Sequence, residues 1–183
     1  MSALDRLGIA LPLALLGLVC AGPARGQSCN RNGAGSCNVT VNNAVGITVG
    51  TAVQLQLPSA SITLNTPAVA DYNAGYQNTP GPTATVSANR SWTLNISAST
   101  GTGFWTPSGG AWVNKPAGDL KWSLAAGGPY TSLRVSPLSA QIGSGAAATA
   151  AANVTLFFQT ALNWLNDTPG VYTLDILYTL TAP

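Results

Sequence analysis

The sequence predicts an all-β protein, an antiparallel sandwich of about 8–10 short strands, Ig-like or pilin-like in type. Three observations point there. Apolar and polar residues alternate with a period of two in several stretches. Gly, Pro and Asn separate those stretches, as turns require. Val, Ile and Thr dominate inside them, which suits a pleated, half-buried surface.

The clearest strand is Val171 to Leu180. Tyr172, Leu174, Ile176, Tyr178 and Leu180 fall on one face, and Thr173, Asp175 and Thr179 on the other. Asp167, Pro169 and Gly170 supply the turn before it. Ser91 to Ser97 repeats the pattern, with Trp92, Leu94 and Ile96 inward. Asp119 to Ala125 does so again, with Leu120, Trp122 and Leu124 inward and Lys121 and Ser123 outward. Weaker candidates are Val39 to Val41, Val45 to Val49, Val53 to Leu57, Ile62 to Leu64, Thr83 to Ala88, Leu133 to Val135 and Val154 to Thr160. Ala146 to Ala152 has a helical composition but no caps and no polar face. It reads as a loop feeding the Val154 strand. Gly101 to Gly110 reads as a loop inside the domain.

Residues 1–26 read as a secretory signal peptide. Arg6 provides the charged start, Ile9 to Val19 the short apolar run, and Ala24-Arg25-Gly26 a small-residue cleavage pattern. Residues 27–183 are then expected to form a single β-sandwich domain, secreted and without a membrane span after cleavage. Cys29 and Cys37 remain in it, and an even count in an exported chain suggests a disulfide across the loop Asn30 to Ser36.

The mature portion is nearly uncharged. Arg31, Arg90, Lys115, Lys121 and Arg134 stand against Asp71, Asp119, Asp167 and Asp175, and there is no Glu and no His. That balance offers no basic face for nucleic acid. It argues against an enzyme as well. A Ser-His-Asp triad and a His-bound zinc are ruled out by composition. No phosphate-binding glycine motif occurs. A pair of carboxylates would have to come from separate segments, Asp71 and Asp119 being the ones free to meet. Asp167 and Asp175 read as solvated, as do Lys115, Lys121 and Arg134. No metal site and no cofactor is expected.

Aromatic residues remain as binding candidates, because their rings stack on the apolar faces of sugars. Trp92, Trp122, Tyr172 and Tyr178 lie on alternating strands and read chiefly as core. Trp105 and Trp112, in a Gly/Pro/Ser-rich stretch, and Trp164, beside Asn163 and Asn166, are candidate ligand contacts together with Tyr178.

Two short motifs carry a family resemblance. Ser91-Trp92-Thr93-Leu94 resembles the proximal Trp-x-Leu motif of the WxL-domain family of bacterial surface proteins. The segment Pro169 to Pro183 resembles that family's closing strand, with Tyr178-Thr179-Leu180 where the family has a second Trp-x-Leu. The similarity covers about residues 83–183. It implies an exported, all-β domain held noncovalently on the cell wall through peptidoglycan, some members being parts of surface assemblies. Trp92, Leu94, Tyr178 and Leu180 are the motif residues. The same closing pattern occurs in pilin-like and spore-coat-like sandwiches. Two functions are therefore expected from the sequence: a wall-associated surface domain with peptidoglycan or other surface proteins as partners, or a self-associating structural subunit of a pilus-like, coat or matrix assembly.

Overall fold

The computed structural model describes Cys37, Val39 and residues 43–183. The signal segment and Cys29 lie outside the described residues, and with them the expected disulfide partner of Cys37. Contacts divide the chain into two units, Met1–Thr48 and Val49–Pro183. All the strands described below belong to the second.

Among the described residues ten strands and one short α-helix follow in order: β1 (Val53–Gln56), α1 (Val69–Ala74), β2 (Tyr76–Ala88), β3 (Trp92–Ala98), β4 (Thr106–Ser108), β5 (Leu120–Ser123), β6 (Thr131–Ser132), β7 (Ala140–Gly145), β8 (Thr149–Ala161), β9 (Val171–Thr173) and β10 (Ile176–Thr181). A five-stranded sheet runs β1-β2-β8-β5-β6, a three-stranded sheet β10-β3-β7, and a small ribbon β4-β9. The strand pairings are antiparallel throughout. The fold is all-β and sandwich-like.

The core joins the two larger sheets. Ala84, Val86 and Ala88 of β2, Val154, Leu156 and Phe158 of β8, and Leu120 of β5 pack with Trp92, Leu94, Ile96 and Ala98 of β3 and Ile142 of β7. Alternation in the sequence places these rows, and it changes phase once. In β2 the buried residues are Gln77 and Thr79 on one side of Pro80-Gly81 and Pro82, Ala84, Val86 and Ala88 on the other. A register shift between Pro80 and Thr83 against β8 inserts one residue and flips the face. Gly81 permits it, since a Cβ there would lie 2.8 Å from the Leu156 carbonyl oxygen. Both prolines are tolerated because β1 pairs only with Thr85 to Ala88, so this half of β2 is an edge.

On the outer face of the β2–β8 pair, neutral polar rungs replace charges. The Thr83 and Thr155 hydroxyls lie 2.9 Å apart, and the Thr85 hydroxyl donates to Asn153 Oδ1 at 3.0 Å. Gln159 donates to Asn78 Oδ1 at 3.1 Å.

Several sequence expectations change. The stretch Val171 to Leu180 keeps its period, but Leu174 and Asp175 break it into β9 and β10, which join different sheets. In the Asp119 to Ala125 stretch the strand ends at Ser123, so Leu124 is exposed and Ser123 buried. Val45 to Val49, Ile62 to Leu64 and Leu133 to Val135 form no strand, though Leu133 is buried. The alanine run is strand from Thr149 onward, and the Gly143-Ser144-Gly145 stretch belongs to β7.

Those two glycines have a specific cause. The Trp92 ring lies close against both: a Cβ on Gly145 would collide with Trp92 Nε1, and one on Gly143 would sit 2.8 Å from Val154 Cγ2 and 3.5 Å from the Trp92 ring. We expect Gly145→Val to lower the melting temperature by an amount equivalent to about 1–3 kcal/mol, the usual result of overpacking a core. Gly46→Ala, with open space around it, is the control and should leave the melt unchanged. Equal melts for both variants would show that the ring is free to move away.

Candidate functional site

The segment from Thr106 to Asp119 and the segment from Leu162 to Thr173 meet at one end of the sandwich. Both start from or return to strands, and β4 pairs with β9 through Thr106↔Thr173, Pro107↔Tyr172 and Ser108↔Val171. At Gly170, Ala111 packs so closely that a Cβ would fall 2.5 Å from its backbone nitrogen. The Tyr172 hydroxyl accepts from the Trp112 N–H at 3.0 Å and donates to the Thr168 carbonyl at 2.8 Å. One side chain thus ties both segments together.

Beneath this lies Lys115, only 3% exposed. Its Nζ donates to Asp167 Oδ1 at 2.7 Å, to the Ala161 carbonyl at 2.9 Å and to Asp119 Oδ2 at 3.4 Å. The Tyr172 ring centroid is 5.8 Å from the same nitrogen. Asp167 Oδ2 accepts from the Asn163 N–H at 2.8 Å. Burial holds the Asp119 carboxyl above the usual carboxylate range, with Asp167 adding to the rise and Lys115 opposing it. The expectation that Lys115 and Asp167 are solvated is therefore corrected. A lysine this deep needs a counter-charge and full hydrogen bonding, and Asp119 from its own segment together with Ala161 and Asp167 from the other supply both. Asp71 does not join Asp119; it accepts from the Ala68 N–H at the start of α1 and from Gln77.

The aromatic candidates separate. Trp105 is 6% exposed, and its Nε1 donates to the Pro116 carbonyl at 3.0 Å. It folds back over the core instead of facing solvent, because an apolar ring with one satisfied N–H gains more from burial than from display. Trp112 is half-buried and lines an open depression of about 280 Å³ with Pro116, Asp119, Asn163, Asn166 and Asp167. Trp164 is exposed, lies against Tyr72 with ring centroids 4.7 Å apart, and donates to Asn73 Oδ1 at 3.3 Å. Trp105 and Trp112 do not share a groove.

The four motif residues sit together. β3 and β10 pair with Leu180 opposite Leu94 and Tyr178 opposite Ile96. Trp92 and Leu94 are buried; Tyr178 and Leu180 are half-buried. The Tyr178 hydroxyl and the Trp92 and Trp122 indole N–H groups are enclosed and lack hydrogen-bond partners. Burial pushes the Tyr178 hydroxyl up to about 12.

Among the described residues no helix is long and apolar enough to cross a membrane, and no cluster of His, Cys, Asp or Glu is arranged to hold a metal ion. No family model matches the chain, and no curated protein is similar to it.

Sequence reasoning missed the Lys115 cluster because its strongest pair is separated by 52 positions. One local signal was present: Asp119 stands four residues after Lys115. The apolar company of Lys115, from Ala111 to Ala117, was another.

Two predictions follow from burial. Asp167→Ala should destabilise the fold by about 3–5 kcal/mol, since it strands a buried cation. The double variant Lys115→Met/Asp167→Leu should lose less than the single variant, as chemical denaturation will measure. Tyr178→Phe removes an unpartnered hydroxyl and should hold or raise the melting temperature. Its sign with pH is fixed: a folded-state value above the ordinary 10 means stability present below pH 10 and lost as pH climbs through about 12. The phenylalanine variant should lose that part of its alkaline sensitivity, and an unchanged alkaline midpoint would contradict it.

Proposed function

We propose that the chain is an exported, non-catalytic structural subunit of a surface assembly, its copies joined by strand pairing. The observation that carries this is the state of the sheet edges. β1, β6, β7 and β10 border the two larger sheets, and none contains a charged residue or a proline. Edges of solitary β proteins are usually guarded by such residues. β10 is only partly covered. Its inward row, Ile176, Tyr178 and Leu180, is only half-buried, while the matching row of β3 is fully buried.

The same chain carries a segment suited to such an edge. Val45, Ile47 and Val49 are 91%, 88% and 74% exposed, and they alternate with Gly46 and Thr48. That is the pattern of a strand with one buried face. Among the residues from 43 to 70 there is no charge to oppose pairing. Main-chain hydrogen bonds along an edge would give affinity, and alternate apolar side chains would set register.

Wall association is the second reading. It draws support from the depression beside Trp112, where an aromatic ring neighbours the amides of Asn163 and Asn166 and the carboxyl of Asp119. Co-sedimentation of the folded protein with purified wall sacculi, lost in Trp112→Ala, would favour it over assembly.

Sedimentation velocity over a concentration series tests the leading reading. The mature protein should form oligomers or fibres as concentration rises. Leu177→Lys on β10, or Val49→Lys, should weaken association about tenfold, the equivalent of about 1.4 kcal/mol. A protein that stays monomeric at the highest concentration would count against it.

A further inference from the structure

The geometry points to a covalent cross-link within the chain: an amide bond between Lys115 Nζ and the side-chain carboxyl carbon of Asp167, formed with Asp119 as the proton carrier. The inference is independent of the assembly reading.

Three features of the site bear on it. The first is proximity. Asp167 Oδ1 lies 2.7 Å from Nζ, so the carboxyl carbon is one bond further. Both side chains are almost wholly buried, at 3% and 4% exposure. Reactants held this way need no encounter step, which is where positioned groups gain most of their rate. The second is the set of neighbours. The Ala161 carbonyl accepts from Nζ and aims it. The Asn163 N–H donates to Asp167 Oδ2 and stands ready to stabilise negative charge there during attack. Asp119 Oδ2 is 3.4 Å from the reacting nitrogen. Burial favours the protonated form of the Asp119 carboxyl, which suits a group that hands a proton on. The third is the driving force. An ion pair out of water is costly, whereas a neutral amide of the same atoms is not.

The step balances without any other reactant. The pair starts as an ammonium and a carboxylate. One proton passes from Nζ to Asp167 Oδ1, leaving a neutral amine facing a neutral acid. Nζ attacks the carboxyl carbon, and the Nζ–C bond forms. Asp119, starting protonated, gives its proton to Oδ1 as the carbon–Oδ1 bond breaks and takes the second proton from nitrogen in exchange. Oδ1 departs as water carrying both protons, and Oδ2 remains as the amide carbonyl. Nothing is oxidised or reduced. Asp119 and Asp167 both line the open depression, which gives the water a way out.

Intact-mass spectrometry of the purified mature protein, reduced and denatured after incubation in the folded state, tests the proposal. The wild-type chain should be lighter than its sequence by one water. Tandem spectra of a digest should contain a branched peptide joining Lys115 to Asp167. Lys115→Arg and Asp167→Ala should show the full mass, and Asp119→Asn should form the bond at least tenfold more slowly. Should those variants fail to fold, the wild-type spectra decide alone. A wild-type chain at full sequence mass would overturn the cross-link. So would loss of a water with no branched peptide, as from a succinimide. Bond formation at the wild-type rate in Asp119→Asn would overturn the role given to Asp119.

Discussion

The structure depends on one constraint: alternate side chains of β2, β3 and β8 must lie between two sheets and stay out of water. Trp92, Leu94, Ile96 and Ala98 meet Ala84, Val86, Leu156 and Phe158 in that layer. The large aromatic and aliphatic groups there supply most of the favourable burial. Other features accommodate this layer. The bulge at Pro80-Gly81 re-phases β2 so that its second half can join. The glycines of β7 leave room for the Trp92 ring. The one-residue shift in the β3–β7 register brings Ile142 inward.

The layer is sealed unevenly. Next to β5 and β8 it is closed, but along β10 the inward residues are only half-covered. A sandwich with a partly open flank and uncharged edges is suited to association, and low charge removes the repulsion that would oppose it. At one end, the Lys115 cluster clamps two long connections, which would otherwise be the loosest part of the molecule. In the assembly proposed above, such a clamp, ionic or covalent, would keep that end from opening between neighbours.

Much of the fold was legible in the sequence because period-two alternation is local. Trp92, Leu94 and Ile96 faced inward as expected, and so did Tyr172 to Leu180 on even positions. The reading failed where the cause was not local. Leu124 followed the inward parity of Leu120, but the strand ended one residue earlier. Gly143 and Gly145 looked like loop punctuation, when they were the complement of a ring some fifty residues away. Trp105, in a glycine-rich stretch, was open to either ligand contact or folding back over the sandwich, and only its distant hydrogen-bond partner decided for the latter. Lys115 and Asp167 each had an ordinary solvated reading; only the meeting of two distant segments made them a buried pair.

The central claim is that uncharged edges, β10 among them, are where copies meet. Hydrogen–deuterium exchange on dilute and concentrated samples addresses it directly. The account predicts that amides in Ile176–Thr181 and in residues 45–49 become protected as the protein associates, while those of β3, already enclosed, do not change. Association that leaves exchange in both segments untouched would contradict it.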